Sequence, residues 1–159
     1  MRFLIPFFLL LALVGCTDKD RVPVMGNWTG GFFTERGQAF KGYLQLYRTG
    51  DKFKMRLSSK DQAMDLEGTW KVDAKRVILS VNNIDFQNPS EDDQKALGLK
   101  IISPDEVRTA YGQPITLDLD ESKTKLSGLT ITLGNLSGRH EFVKGEATKN
   151  TEKALEGLR

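Results

Sequence analysis

Asp65-Leu66-Glu67-Gly68-Thr69-Trp70-Lys71-Val72-Asp73 alternates without a break: Leu66, Gly68, Trp70 and Val72 share one face, and Asp65, Glu67, Thr69, Lys71 and Asp73 share the other. A period of two with one apolar and one charged face marks an antiparallel strand buried on one side and wet on the other. The pattern recurs on both sides of this stretch. Phe53, Met55 and Leu57 alternate with Lys52, Lys54, Arg56 and Ser58, and Ile115, Leu117 and Leu119 alternate with Thr116, Asp118 and Asp120. A parallel α/β domain would instead show continuous apolar strands separated by helical patterns.

Turn chemistry joins these stretches closely. Thr49-Gly50-Asp51-Lys52 separates Phe40–Arg48 from Phe53–Ser59, Asp73-Ala74-Lys75 separates Leu66–Val72 from Val77–Phe86, and Asp120-Glu121-Ser122-Lys123 separates Ile115–Leu119 from Lys125–Leu133. Loops this short are hairpin loops, so sequence neighbours become sheet neighbours. With Met25–Thr34 at the start and Arg139–Lys144 at the end, residues 24–145 hold about eight strands in up-and-down order. Gly128 shifts the alternation and predicts a bulge or sharp bend. Gly30-Gly31 and Gly134 to Gly138 read as turns or bends.

A helical insertion, about 89–112, interrupts the series between the fifth and sixth strands. Ser90 caps acidic Glu91-Asp92-Asp93, and Ser103-Pro104-Asp105-Glu106 is a capping box with proline at the first helical position. The tail 146–159 carries a thin apolar stripe and reads as a docked helix or a frayed end. The fold expected is mainly β, a closed antiparallel barrel, since closure removes exposed strand edges.

The N-terminus reads as an address. Twelve of the first 15 residues are hydrophobic, so the 39% of the whole 159-residue chain falls to about 35% without them. Arg2 precedes the apolar run Phe3–Val14, which is too short for the roughly 20 residues of a membrane span but fits a secretory signal, residues 1–15. Leu13-Val14-Gly15-Cys16, ending on the one cysteine of the chain, resembles the lipobox of bacterial lipoproteins at all four positions. The resemblance implies diacylglycerol on the Cys16 thiol, cleavage before Cys16 and a palmitate-type acyl chain on the new amino terminus. An ordinary signal peptide or anchor helix with an incidental cysteine is the alternative. Thr17, where an aspartate would favour the inner membrane, implies an outer-membrane anchor facing the periplasm. Residues 16–23 would form a lipidated tether, and three acyl chains would hold it in the membrane.

Gly26-Asn27-Trp28, followed by Gly30, resembles the Gly-x-Trp motif that opens the first strand of lipocalins. The resemblance implies an arginine near the end of the last strand, packed across Trp28, and Arg139 is the candidate. The lipocalin middle-loop motif and the helical segment before the last strand have no counterpart here.

Residue chemistry excludes more than it assigns. With 23 basic and 21 acidic residues the chain is near neutral, which argues against nucleic acid as partner. One histidine and one lipid-committed cysteine cannot build a His/Cys zinc site. His140 reads as structural, no nucleophile elbow or phosphate loop appears, and neither an enzyme nor a cofactor is expected. Asp118 and Asp120 sit on one strand face beside a turn, a place for a hard cation but more simply outward charges. Trp28, Phe40, Phe53, Trp70 and Phe142 fall on inward faces. They line an apolar pocket under Asn88–Pro114, or they fill the core. The expectation is a membrane-anchored, non-enzymatic lipoprotein with a small apolar or amphiphilic ligand in its barrel, or a packed barrel acting as an envelope interaction module, an assembly factor or inhibitor.

Overall fold

A computed structural model describes residues 20–99 and 101–145. The signal segment 1–15, Cys16 and the tail 146–159 lie outside the described residues.

Strands form where alternation is sustained: β1 (Gly26–Thr34), β2 (Gly37–Leu46), β3 (Lys52–Ser58), β4 (Ala63–Asp73), β5 (Arg76–Gln87), β6 (Ile115–Leu119), β7 (Lys125–Gly128), β8 (Ile131–Leu133) and β9 (Leu136–Lys144). Phe53, Met55 and Leu57 are at most 1% exposed while Lys54 and Arg56 between them reach solvent, as period two requires. β1 to β7 pair antiparallel in sequence order, and β9 pairs with β7 on one edge and β1 on the other, which closes an eight-stranded barrel. Several strands start earlier than their apolar pattern suggests, β2 at Gly37, β4 at Ala63 and β9 at Leu136.

The ninth strand comes from the break at Gly128. Leu129 and Thr130 leave the sheet, and β8 resumes on the same edge of β9 that β7 uses, pairing Ile131 with Gly138 and Leu133 with Leu136. Gly30 and Gly31 correct the sequence reading, because they lie within β1 and not in a turn. A Cβ on Gly30 would stand 1.9 Å from the Glu141 carbonyl oxygen, and one on Gly31 1.9 Å from that of Phe40. Backbone approach that only glycine permits thus brings β1 against β9 at Gly30, where the barrel closes, and against β2 at Gly31.

The helical insertion is α1 (Glu91–Leu97) and α2 (Pro104–Ala110). Ser90 Oγ accepts from the Asp93 amide and left-handed Gly98 ends α1; Ser103 and Glu106 form the expected capping box on α2. These helices complete the wall. β5 pairs with β6 only over Arg76–Leu79, which among the described residues leaves one edge of Ser80–Gln87 without a strand partner. α2 lies along that gap, its Val107 fully buried, its Arg108 guanidinium 5.8 Å above the Phe86 ring and its length against β8.

The described chain ends, Asp20 and Gly145, emerge at one end of the barrel with the hairpins 46–52, 73–76 and 119–125. We call this the terminal end and the opposite one, under α1 and α2, the helical end. Residues 21–24 turn back onto the terminal end, where Val24 is fully buried. The stretch expected as a free tether is therefore docked from Arg21 onward, because Val24 has apolar core to cover.

Candidate functional site

All five aromatic candidates lie in one contiguous core: Trp28, Phe40, Phe53, Trp70 and Phe142 are 0–4% exposed. The tryptophans sit at the terminal end. Trp28 Nε1 donates to the Val24 carbonyl at 2.9 Å and Trp70 Nε1 to the Tyr47 carbonyl at 3.0 Å, so each buried indole N–H is satisfied by backbone. Arg21 lies 4.7 Å above the Trp70 ring and ion-pairs with Asp51.

Arg139 does not pack across Trp28. It stands opposite Phe33 in the register, points outward and pairs with Glu141 at 2.6 Å. The residue opposite Trp28 is Lys144, whose Nζ lies 5.6 Å from the ring and donates to the Pro23 carbonyl. Closure of β9 on β1 sets this pairing, and it places residue 144 at the tryptophan, five residues beyond 139.

Nearer the helical end the structure assembles a cluster that the sequence did not group. His140, 1% exposed, is stacked on Phe142 at 6.0 Å, meets Phe32 edge-on at 5.4 Å and lies 5.8 Å from Tyr111. The Tyr111 hydroxyl and His140 Nε2 are 3.2 Å apart, and among the described residues Nδ1 has no hydrogen-bond partner. Burial holds the imidazole down at about 4, with the Gly31 backbone opposing this only in part, and burial likewise raises the Tyr111 phenol. Both groups are neutral and enclosed at pH 7, and neither offers a proton acceptor to solvent.

Glycines on neighbouring strands make the room for these rings. A Cβ on Gly42 would meet the Phe142 ring at 3.0 Å, one on Gly68 the Phe53 ring at 2.9 Å and one on Gly138 the Phe32 ring at 2.9 Å. Ring volume is thus matched to missing side chains across the sheet, as in a close-packed interior. Above the rings, Gln62 holds the insertion in place. Its Nε2 donates to the Ile102 carbonyl at 2.7 Å and its Oε1 accepts from the Ile102 amide at 3.0 Å, so one buried side chain imitates a strand partner.

The acidic hairpin is occupied by its own turn. Asp120 accepts from the Thr124 and Lys125 amides at 2.7 and 2.8 Å and from the Ser122 hydroxyl. These donors, Ser122 first, bring its carboxyl down to about 2. The oxygens a cation would need are committed to the turn, and Asp118 stands opposite Arg76 on β5. Among the described residues no three carboxylate, histidine or cysteine side chains converge as a metal site would require.

Outside the barrel two features of the helical end stand out. α1 buries none of its residues, and Leu97 is 69% exposed. A groove of about 870 Å³ opens between the β1–β2 and β8–β9 hairpins, lined by Phe33, Arg36, Asn135, Leu136, Arg139 and Glu141 among others. No described helix is long and apolar enough to cross a membrane. No protein-family profile matches the chain, and no curated protein matches it in sequence.

Proposed function

We propose that this protein is a lipid-anchored, non-enzymatic envelope module that works through its outer surface, with a packed barrel as its scaffold. The interior supports this reading: the aromatic residues that a ligand pocket would need are buried in one contiguous core, Phe53 and Phe142 against glycine-made niches and Phe142 stacked on His140. A resident ligand would have to displace close-packed rings, at several kcal/mol per ring. The contact face is the helical end. α1 is a well-capped helix that adds nothing to the core, and a seven-residue helix is marginal without partners. The anchor is Cys16, read from its resemblance to a lipobox, and Thr17 after it favours an outer-membrane, periplasm-facing location.

Photo-crosslinkers at Gln94 and Leu97 in cells, compared with one at Lys54 on the side wall, test this reading. A stoichiometric adduct from α1 positions only, reduced by Leu97→Asp, is expected. Equal labelling from Lys54 would remove α1 as the contact face. Native mass spectrometry of the detergent-extracted chain tests the scaffold: a single bare mass is expected, and a co-purified apolar molecule would reinstate the ligand-binding barrel.

A further inference from the structure

Charge is divided unevenly between the two ends. At the terminal end, segments 20–25, 47–52, 71–76, 118–125 and 143–145 carry nine basic and six acidic side chains. At the helical end, segments 34–38, 58–63, 85–99 and 101–114 carry four basic and eight acidic ones. Among the described residues the excess is not hidden in ion pairs. Asp51, Asp73 and Glu121 pair with Arg21, Arg76 and Lys75, and Asp120 is filled by its turn, whereas Arg48, Lys52, Lys71, Lys123 and Lys125 all face solvent from the hairpin rims. The chain also leaves the barrel at this end. Asp20 follows Cys16 by four positions, which span at most about 14 Å.

The geometry points to the terminal end as a membrane-docking face, its basic hairpin rims seated on anionic lipid headgroups while the acidic helical end is held away from the bilayer. This rests on the lipid anchor at Cys16 proposed above. A tether this short keeps the rims within one or two screening lengths of the surface, about 8 Å each at physiological salt. Attraction to anionic lipid then acts on several lysines together, and repulsion of α1 and α2 works in the same sense. Val22, 54% exposed beside the tether, and Val143, 50% exposed at the end of β9, add apolar contact on the same side. The outcome is a barrel standing upright on the membrane with α1 farthest from it.

The acylated chain, reconstituted in phosphatidylcholine vesicles with or without phosphatidylglycerol, tests this by flotation and backbone hydrogen exchange. Flotation with both kinds of vesicle reports the anchor. Docking is expected as severalfold slower exchange in hairpins 47–52, 73–76 and 119–125 on phosphatidylglycerol vesicles at low salt, lost in molar salt. The triple variant Lys52→Glu, Lys71→Glu, Lys125→Glu should float unchanged but lose that protection. The same charge change at the helical end, Arg36→Glu, Lys60→Glu, Lys95→Glu, should keep it. A chain that floats but exchanges equally on both vesicles overturns docking alone, as does protection that persists in molar salt. A chain that fails to float overturns the anchor and docking together.

Discussion

At the terminal end, the barrel is closed by main chain that arrives in sequence order: residues 21–24 fold back, Val24 enters the core, and Trp28 and Trp70 donate to backbone carbonyls. At the helical end, sheet pairing stops short and side chains stand in for it, with Gln62 clasping Ile102 and Tyr111 reaching His140. A short loop leaves little choice of partner, whereas a long insertion has to be fixed by specific polar contacts. The first kind of closure should fail globally and the second locally.

The largest expected effect belongs to Trp28→Ala. Removing a fully buried indole should cost about 3–5 kcal/mol in urea unfolding, with loss of structure throughout. A comparable loss of amide protection confined to residues 20–28 would show that the terminal end opens independently, and would erase the contrast.

Acid should act first on the helical end. In the unfolded chain His140 takes up a proton near 6.5, whereas in the fold its ring stays neutral down to about 4. Unfolded chain therefore binds more protons between these values. Stability is complete above pH 6.5 and falls as pH drops toward 4, by roughly 3 kcal/mol in all. Asp65, raised by burial against the pull of Arg56, changes in the opposite sense, and Asp120 acts only lower, toward pH 2. Urea titrations from pH 7 to 4.5 should accordingly show the slope in the natural chain and its loss in His140→Gln. An unchanged slope in that variant would assign the acid sensitivity elsewhere.

Gln62→Ala should leave the Ile102 amide and carbonyl unpaired, at about 1–3 kcal/mol. Hydrogen exchange should quicken in α2 and its flanks while β1 to β4 keep their protection. Uniform quickening would mean that the insertion is an integral part of the cooperative unit. The smallest effects separate two cations on β9. Arg139→Ala should change stability by less than about 0.5 kcal/mol, and Lys144→Ala, over Trp28, by about 0.5–1 kcal/mol with a shift in tryptophan fluorescence. A fluorescence shift from Arg139→Ala instead would restore the arginine expected across Trp28.

Sequence order and alternation made the terminal half legible. Each hairpin there joins two alternating stretches through Gly, Asp or Lys, and the insertion announced itself through Ser90 and Ser103-Pro104. Long-range register was not legible. Nothing near Arg139 tells which residue of the last strand meets Trp28, because that depends on how a closed sheet staggers its first strand on its last. Gly30 reads as part of a turn for the same reason, since its backbone approach to Glu141, over a hundred residues away, leaves no local mark. Phe32 follows two glycines and precedes a second phenylalanine, so its face was ambiguous. Tyr111 caps the end of α2 and Gln62 closes a polar loop just before β4, positions where neither periodicity nor hydropathy separates a clasp from a solvent-facing side chain.

The incomplete β5–β6 seam has a consequence for how such a chain can diversify. β5 and β6 share four paired positions, Arg76–Leu79 with Ile115–Asp118, and everything between Gln87 and Ile115 lies outside the strand register of the barrel. Residues can be added, removed or replaced there without shifting the alignment of any two strands, provided one polar side chain clasps the new backbone and a few apolar ones shut the gap. The insertion is in that sense an exchangeable cassette, and the barrel beneath it a mount whose strand alignment stays the same whatever the cassette carries.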